Sequence, residues 1–320
     1  MTSLRLPNPT QIDQILEHAS FFAATSMAEN TRRAYDLGWK IFIEWCLGQK
    51  VDPWKENNRE ALVAFFLSDK AMQGDLKLSS IIVYLSGVKW VYAQNGVFID
   101  EKSDVLSKVI RGIKRFLGCR PLRKEPIFTE RLRAMVESID TSKSIGIRDR
   151  ALLVLGFAGA FRRSELVSLN IEDFSESDQG YLVLLKKSKT DQEKNGFVKT
   201  IPYGSYIETC PVRSIKSLIN QLGRKTGPLF TQIKKGGFIT DDRLSPAAVA
   251  LVIKRNASIN DRMMFSGHSL RSGFVTAAAK RDVPIHQIML QTGHKKVESL
   301  FAYIREIQSL KNCAASKVGL

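Results

Sequence analysis

The sequence offers little from which to build a metal or nucleotide site. Its four cysteines, Cys46, Cys119, Cys210 and Cys313, are far apart and form no C-x-x-C pair. This spacing excludes a disulfide framework and a cysteine metal site, and it predicts reduced thiols in a reducing compartment. The H-E-x-x-H, D-x-D and G-x-x-x-x-G-K-S/T patterns are also absent, which argues against metal-dependent hydrolysis and nucleotide hydrolysis. We therefore expect no metal and no nucleotide cofactor.

Long apolar runs are missing as well. There is no apolar stretch of about 18 residues, and the N terminus, MTSLRLPNPT, is polar and broken by proline, so neither a membrane span nor a signal peptide is predicted. Acidic residues are outnumbered, because 32 Asp+Glu face 48 Lys+Arg and leave a net charge of +16. This excess favours a polyanionic partner, with nucleic acid first and an anionic membrane as the alternative. We expect a cytosolic, nucleoid-associated protein.

The first third of the chain shows helical periodicity. Apolar residues recur at helical spacing in successive segments, and Asn57 or Asn58, Ser103 and Gly118 supply capping signals. These patterns predict a compact helical bundle, with helices over 10–25, 31–49, 59–72, 78–94 and 104–118.

Basic side chains are spread over this predicted bundle. Each one alone is typical of a solvated helix face, whereas together they fit helices that lie against DNA phosphates and enter a major groove. The candidates for DNA binding are Arg32, Arg33, Lys40, Lys77, Lys89, Arg111 and Lys114. Which of them would contact bases is not decided by the sequence.

A change of composition marks the end of the bundle. Residues 119–128, CRPLRKEPIF, contain two prolines and three basic residues and have little periodicity, which is typical of a linker. We place the domain boundary near Leu122. The expected domains are a helical DNA-binding domain at 1–122 and a second, larger domain at 123–320.

The second domain combines helices with a few strands. Helical patterns cover 129–139, with Thr129 as the expected cap, and also 147–161, 211–222 and 246–255. The segments YLVLLKK and FVKTIPYG predict a β-hairpin around a turn at 188–196. We expect residues 227–244 to form a basic, glycine-rich loop, in which Asp241 and Asp242 are typical of a solvated turn.

Residues 268–306 bring together chemically capable side chains at marked positions. His268 and Arg271 lie three residues apart at the start of a predicted helix, so their side chains point the same way. A proline then opens a second helix and a glycine ends it, which places His294 in a turn. A third helix carries Tyr303, nine positions later. Three core helices with incidental histidines are the plain alternative, but this combination favours a site.

An upstream pair completes the pattern. Arg162 and Glu165 stand three residues apart, so the carboxylate can orient the guanidinium. The R-x-x-E-L, H-x-x-R and G-H motifs, with a tyrosine after eight intervening residues, resemble the signature of the tyrosine recombinases, the phage integrase family. FSGHSLRSG and YIR are particularly similar to Cre-type and Xer-type members. The resemblance implies a mainly α fold with a small antiparallel β-sheet, built as a helical core-binding (SAM-like) bundle plus an α+β catalytic domain that together form a C-shaped clamp on DNA.

The resemblance also implies roles for individual residues. The family's hairpin lysine is matched by Lys189, although Lys186, Lys187 or a solvated hairpin tip remain alternatives. The implied catalytic set is Arg162, Glu165, Lys189, His268, Arg271, His294 and Tyr303. In this chemistry the tyrosine forms a 3′-phosphotyrosine with DNA, the arginines bind the phosphate oxygens and the lysine protonates the departing 5′-hydroxyl, without any cofactor.

The implied assembly is a homotetramer on two DNA duplexes. Strand exchange then passes through a Holliday junction at inverted-repeat target sites, and the C-terminal tail after Tyr303 docks on a neighbouring protomer. With about ten residues before the first predicted helix, we expect no additional arm-binding domain and therefore short, simple sites. Two other functions fit the same residues, namely a type IB topoisomerase-like relaxing enzyme and a non-catalytic DNA-binding regulator.

Overall fold

The structure is a computed structural model that describes residues 27–118, 124–186 and 196–301 together with Tyr303. The chain divides into two compact units, Met1–Leu122 and Arg123–Leu320, and each has its own hydrophobic core. The described part is mainly helical with two small antiparallel sheets, which confirms the predicted fold class. None of its helices combines the length and the apolar character that crossing a membrane requires.

The first unit packs helices around an aromatic core. Its described helices are α1 (Glu29–Gly48), α2 (Arg59–Met72), α3 (Leu78–Gln94) and α4 (Asp104–Leu117). Phe42, Phe66 and Tyr92 are completely buried, and the rings of Phe42 and Phe66 meet edge to face with centroids 5.1 Å apart. The helix predicted over 10–25 lies outside the described residues.

Local chemistry sets the ends of these helices. The Asn58 side chain accepts a hydrogen bond from the Ala61 N–H at 3.1 Å, so its prediction as the N-cap of α2 is confirmed. Gly118, with a φ of 73°, ends α4 as predicted. Ser103 occupies the N-cap position of α4, but its hydroxyl makes no capping hydrogen bond, so the expected stabilisation by that side chain is wrong.

Two glycines allow α1 and α3 to cross in close contact. A Cβ atom on Gly87 would lie 2.5 Å from the carbonyl oxygen of Tyr35, and one on Gly38 would lie 3.0 Å from the Cα of Tyr84. Each glycine therefore faces the backbone of the opposite helix. The missing side chains at these two positions set the distance between the helices.

The second unit is built around a buried helix. Its helices are α5 (Thr129–Glu137), α6 (Ser144–Ala158), α7 (Arg163–Ser168), α8 (Pro211–Leu222), α9 (Pro246–Asn256), α10 (Ser269–Lys280) and α11 (Ile285–Thr292). Residues 151–155 of α6 are all buried, as the apolar run predicts. The predicted cap at Thr129 is wrong, because α5 begins at Thr129 and Phe128 occupies the cap position.

A three-stranded antiparallel sheet follows α7. Its strands are β1 (Phe174–Ser177), β2 (Gly180–Leu185) and β3 (Phe197–Pro202), in that order. The predicted pairing of the last two strands is confirmed, with Val183 opposite Lys199 and Tyr181 opposite Ile201. All four of these side chains are buried. The sequence of β1, FSES, has too few apolar residues to predict a strand.

The predicted loop at 227–244 is wrong in part, because it contains a hairpin of β4 (Thr231–Ile233) and β5 (Ile239–Arg243). Gly236 and Gly237, with φ values of 89° and 85°, lie in the turn between the two strands. The glycines and lysines that indicated a loop therefore account only for the turn. The Arg243 side chain donates to the Val167 carbonyl at 2.7 Å, which ties this hairpin to α7.

The helix crossing in the first unit gives a paired prediction. Gly87→Ala should destabilise this unit by about 2 kcal/mol because the new methyl group overlaps the Tyr35 backbone. Gly112→Ala, in α4 with no atom within 4 Å of the added Cβ, should stabilise it by about 0.5–1 kcal/mol. Urea unfolding followed by tryptophan fluorescence measures this unit, which contains all four tryptophans. Equal effects of the two substitutions would contradict the close crossing.

Candidate active site

The turn after α6 brings Arg162 to the site. The Ala160 N–H bonds to the Phe157 carbonyl at 3.0 Å and the Phe161 N–H bonds to the Gly156 carbonyl at 3.2 Å, which are the two bonds of a Schellman motif. Ala160 has a φ of 47°, in the left-handed region that usually holds glycine. The chain reverses here, and Arg162 follows at the N-cap position of α7.

Glu165 holds Arg162 through both its backbone and its side chain. One carboxylate oxygen accepts from the Arg162 backbone N–H at 2.9 Å, and the other accepts from its guanidinium at 2.5 Å. The Glu165 side chain is 3% exposed and that of Arg162 is 19% exposed. The expected orientation of the arginine by the glutamate is confirmed.

Arg271 and His294 meet beside this pair. The Arg271 guanidinium, which is buried in α10, donates to the Ala160 carbonyl at 2.7 Å and lies 3.2 Å from His294 Nε2. His294 Nδ1 lies 2.8 Å from the Thr292 hydroxyl, which donates to the Ile288 carbonyl at 2.7 Å. Because a guanidinium only donates, the imidazole accepts through Nε2 and donates through Nδ1.

His268 and Tyr303 form the third part of the site. His268 occupies the N-cap position of α10, and its Nε2 lies 2.7 Å from the Tyr303 hydroxyl. Residues 298–301 and Tyr303 are helical, as predicted. Burial and then the charges of Arg271 and Arg162 lower the pKa of His268. A neutral imidazole at this distance can accept the phenolic proton.

The hairpin lysine is the one predicted member that the structure does not place. Lys189 lies outside the described residues, as does its alternative Lys187. The other alternative, Lys186, forms an ion pair with the buried Asp173 at 2.6 Å, which makes Lys186 a weaker candidate for the site.

A second lysine, absent from the sequence prediction, lies beside the site. Lys199 in β3 is 2% exposed. Burial lowers its pKa to about 7; Glu165 opposes this shift, whereas Arg271 and Arg162 add to it. The signal available in the sequence was the position of Lys199 in FVKTIP, where it lies two residues from both Phe197 and Ile201 and so shares their inward face.

Positive charge is concentrated at this site. Burial, followed by the charges of Arg271 and Arg162, lowers the pKa of His294 to about 4. Burial and Arg162 also lower the pKa of Arg271 to about 10, while Glu165 opposes the shift. Side chains that disfavour one another's protonated forms are suited to an anionic ligand, whose charge offsets their repulsion. Among the residues that the structure describes, no three His, Cys, Asp or Glu side chains group as metal ligands.

The basic candidates for DNA binding lie in the first unit and differ in their surroundings. Arg33, Lys40 and Lys89 form ion pairs with Glu29, Glu44 and Glu101, respectively. The remaining candidates are exposed: Lys77 at the N-cap position of α3, and Arg32, Arg111 and Lys114 within helices. A side chain already paired with a carboxylate must exchange that partner to contact a phosphate, which applies to Arg33, Lys40 and Lys89.

Comparison with known proteins identifies the class of this site. Residues 127–309, more than half of the chain, match the sequence profile of the phage integrase family. The chain belongs to the phage integrase family. The matched range contains every residue of the site described above, and the resemblance inferred from the motifs is confirmed.

Relatives of this phage integrase family member are named recombinases. An integrase/recombinase xerD homolog of Selenomonas ruminantium is 32% identical over 298 residues, which cover 92% of this chain and 86% of the relative. The recombinase cre of Escherichia phage P1 is 23% identical over 256 residues, covering 73% and 72% of the two chains. The protein is a tyrosine recombinase, an enzyme of site-specific DNA recombination.

Solved structures show the same fold. XerH site-specific recombinase bound to a palindromic difH substrate aligns with a TM-score of 0.66 at 19% identity, covering 89% of this chain and 79% of that chain. A lambda integrase dimer (75–356) bound to a COC′ core site aligns with a TM-score of 0.59 at 14% identity, covering 91% and 93%. At these identities the comparison concerns the fold alone.

The lowered pKa of His294 predicts a pH-dependent stability. The folded-state pKa is about 4 against an ordinary value of 6.5, so between these values the unfolded chain binds a proton that the folded chain does not. Stability therefore rises with pH across this window, by at most about 1.4 kcal/mol per pH unit. In urea unfolding followed by circular dichroism, His294→Gln should reduce this slope.

The matched control is His286→Gln, since His286 is exposed in α11. It should keep the wild-type slope between pH 4.5 and 6.5. His268, whose pKa is also lowered, contributes to the slope of stability against pH in all three proteins, so its contribution cancels when the slopes are compared. Parallel curves for wild type and His294→Gln would contradict the buried, neutral state of His294.

Proposed function

We propose that this tyrosine recombinase cleaves DNA by attack of the Tyr303 oxygen on a backbone phosphate and rejoins it by the reverse reaction. The observation that carries the proposal is the 2.7 Å contact between Tyr303 Oη and His268 Nε2, next to Arg162, Arg271 and His294. A phenol with a free pKa of about 10 is a weak nucleophile near neutrality. An imidazole that accepts its proton removes this limit.

The phosphate would be bound by the cationic cluster. Arg162 and Arg271 present guanidinium donors that match the nonbridging oxygens and stay charged at working pH. These oxygens gain negative charge in the transition state, so donors fixed before the reaction lower the barrier. His294, whose Nε2 accepts from Arg271, is proposed as an additional donor once the charge of a bound phosphate favours its protonated form. Glu165 keeps Arg162 in place.

Lys189 is proposed as the general acid. In the cleavage step the bond between the Tyr303 oxygen and phosphorus forms while the bond between phosphorus and the 5′-oxygen breaks. The phenolic proton goes to His268, and a proton from Lys189 goes to the departing 5′-oxygen, which is a poor leaving group without it. The product is a 3′-phosphotyrosine and a free 5′-hydroxyl. Bond energy is retained, so religation requires neither ATP nor a cofactor.

The proposed partner is double-stranded DNA with an inverted-repeat target site. XerH and lambda integrase, which share this fold, are bound to DNA sites in their solved structures. We propose that a homotetramer joins two duplexes and exchanges strands through a Holliday junction, with the C-terminal tail docking on a neighbouring protomer. That tail lies outside the described residues.

The first unit is proposed as the core DNA-binding domain and the second as the catalytic domain. The net charge of +16 supports phosphate contact, and the basic candidates of this unit are proposed as the contact residues, namely Arg32, Arg33, Lys40, Lys77, Lys89, Arg111 and Lys114. A protein that acts on chromosomal or mobile-element DNA works at the nucleoid, in the cytoplasm.

The tyrosine mechanism predicts a covalent intermediate. On a nicked suicide substrate, made from a site selected from random DNA, wild type should form an SDS-resistant protein–DNA adduct in EDTA. Tyr303→Phe should bind the same DNA and form no adduct, because phenylalanine lacks the attacking oxygen. Electrophoresis in SDS measures the adduct, and fluorescence anisotropy measures binding.

The other outcomes separate the alternative functions. An absent wild-type adduct on tightly bound DNA would support a non-catalytic regulator. An adduct accompanied by relaxation of any supercoiled plasmid, without recombinants, would support a topoisomerase-like enzyme. An adduct that EDTA abolishes would contradict the metal-free chemistry.

The general-acid role predicts a substrate-dependent defect for Lys189→Met. With an ordinary phosphate, the rate of adduct formation at saturating DNA should fall at least about 100-fold. With sulfur in place of the bridging 5′-oxygen, the rate should return to within about ten-fold of wild type, because a thiolate departs without a proton. Equal losses on both substrates would assign another role to Lys189.

A further inference from the structure

The buried amine of Lys199 joins two helix ends. Its Nζ donates to the Gly159 carbonyl at 2.6 Å and to the Gln291 carbonyl at 2.5 Å. Gly159 directly follows α6, and Gln291 lies in the last turn of α11. Carbonyls at helix C termini have no partner within the helix and carry the negative end of the helix dipole. A lysine amine is therefore well placed between them.

Three successive backbone carbonyls at the C-terminal end of α6 accept hydrogen bonds from side chains of three different elements. The Ala158 carbonyl accepts from the Gln291 side chain at 2.9 Å. The Gly159 carbonyl accepts from Lys199 in β3, and the Ala160 carbonyl accepts from Arg271 in α10. The turn that presents Arg162 is thus held at each peptide by a side chain from elsewhere in the unit.

The Gln291 side chain completes the connection. Its Nε2 also lies 3.2 Å from the Thr200 carbonyl in β3. Lys199 and Gln291 together make four hydrogen bonds that join the end of α6, strand β3 and the end of α11; we call this pair the Lys199–Gln291 clasp. Arg162 follows the first of these elements and His294 follows the third, while the segment that contains Lys189, outside the described residues, precedes the second in the sequence.

We propose that Lys199 and Gln291 are positioning residues that align the phosphate-binding groups with the DNA. The proposal rests on the proposed function and adds two residues to it. Lys199 acts through Arg162, Arg271 and His294 and does not touch DNA, because its donors point to carbonyls and its Nζ lies 4.7 Å and 5.8 Å from the ring centroids of Phe161 and Phe197.

The electrostatic surroundings agree with this role. The charged or titratable groups that face Lys199 are Glu165, Arg162, Arg271 and His294, and burial with the two arginines brings the pKa of Lys199 to about 7. Both the ammonium and the neutral amine have at least two N–H groups. The two carbonyl bonds are therefore available in either protonation state, and alignment does not depend on the charge of Lys199.

The test compares Lys199→Met with wild type on the suicide substrate. Methionine has a similar length and no donor. DNA affinity should stay within about three-fold, because Lys199 is not itself proposed to contact DNA. The adduct rate at saturating DNA should fall about 100-fold, since a misplacement of about 1 Å in an active site can cost that much. Sulfur at the bridging 5′-position should not restore the rate of Lys199→Met, whereas it should restore the rate of Lys189→Met. Lys216→Met, which removes a partly exposed lysine paired with Glu176, should behave as wild type.

Three results would overturn the proposal. They are a folded Lys199→Met protein whose adduct rate is within three-fold of wild type, a loss confined to DNA affinity, and recovery with the sulfur substrate, which would make Lys199 the general acid. If Lys199→Met does not fold, the proposal is tested with Gln291→Met, which should fold because the Gln291 side chain is only partly buried. With an unchanged melting temperature, an adduct rate at least about ten-fold lower supports the proposal, and a wild-type rate overturns it.

The test also separates this proposal from the proposed function. If wild type forms no adduct, the tyrosine mechanism itself fails and Lys199 has no reaction to align. If wild type forms an adduct and both clasp variants equal it, only the positioning role fails.

Discussion

The site in the second unit brings several positively charged side chains close together in a buried environment, where water cannot screen their repulsion. Arg162, Arg271 and Lys199 are brought around one carboxylate, Glu165, which bonds directly to the first of them. The remaining compensation comes from uncharged carbonyl oxygens, of Ala160 for Arg271 and of Gly159 and Gln291 for Lys199. Carbonyl dipoles stabilise cations without neutralising them, so the cluster keeps a positive charge for an anionic ligand.

Because those carbonyls lie at helix ends, the geometry of the site is a property of the fold. The ends of α6 and α11 and the start of α10 converge, and each supplies candidate site side chains or carbonyls that accept from them. A change in the packing of any of these helices would alter the direction of a guanidinium. The chemistry of phosphate transfer is sensitive to such changes, since its catalysis consists largely of positioning and electrostatic stabilisation.

Much of this arrangement was predictable from the sequence. Helical periodicity and the Asn58 cap located the helices, and the spacing of Arg162, Glu165, His268, Arg271, His294 and Tyr303 indicated the site. The β4–β5 hairpin was missed because its glycines and lysines dominate the local composition, and β1 because its residues are polar. Lys199 was missed for another reason: a lysine is ordinarily an exposed residue, and the carbonyls that make its burial possible come from distant parts of the chain.

The backbone conformation of Ala160 directs two neighbouring carbonyl oxygens to two different cations, Lys199 and Arg271. With its left-handed φ of 47°, the peptide on one side directs an oxygen to Lys199 and the peptide on the other side directs an oxygen to Arg271. A side chain branched at Cβ strongly disfavours this conformation, and leaving it would rotate one oxygen away from its cation. The choice of residue at a buried position that carries no reactive group therefore limits which sequences can maintain the charge distribution of the site.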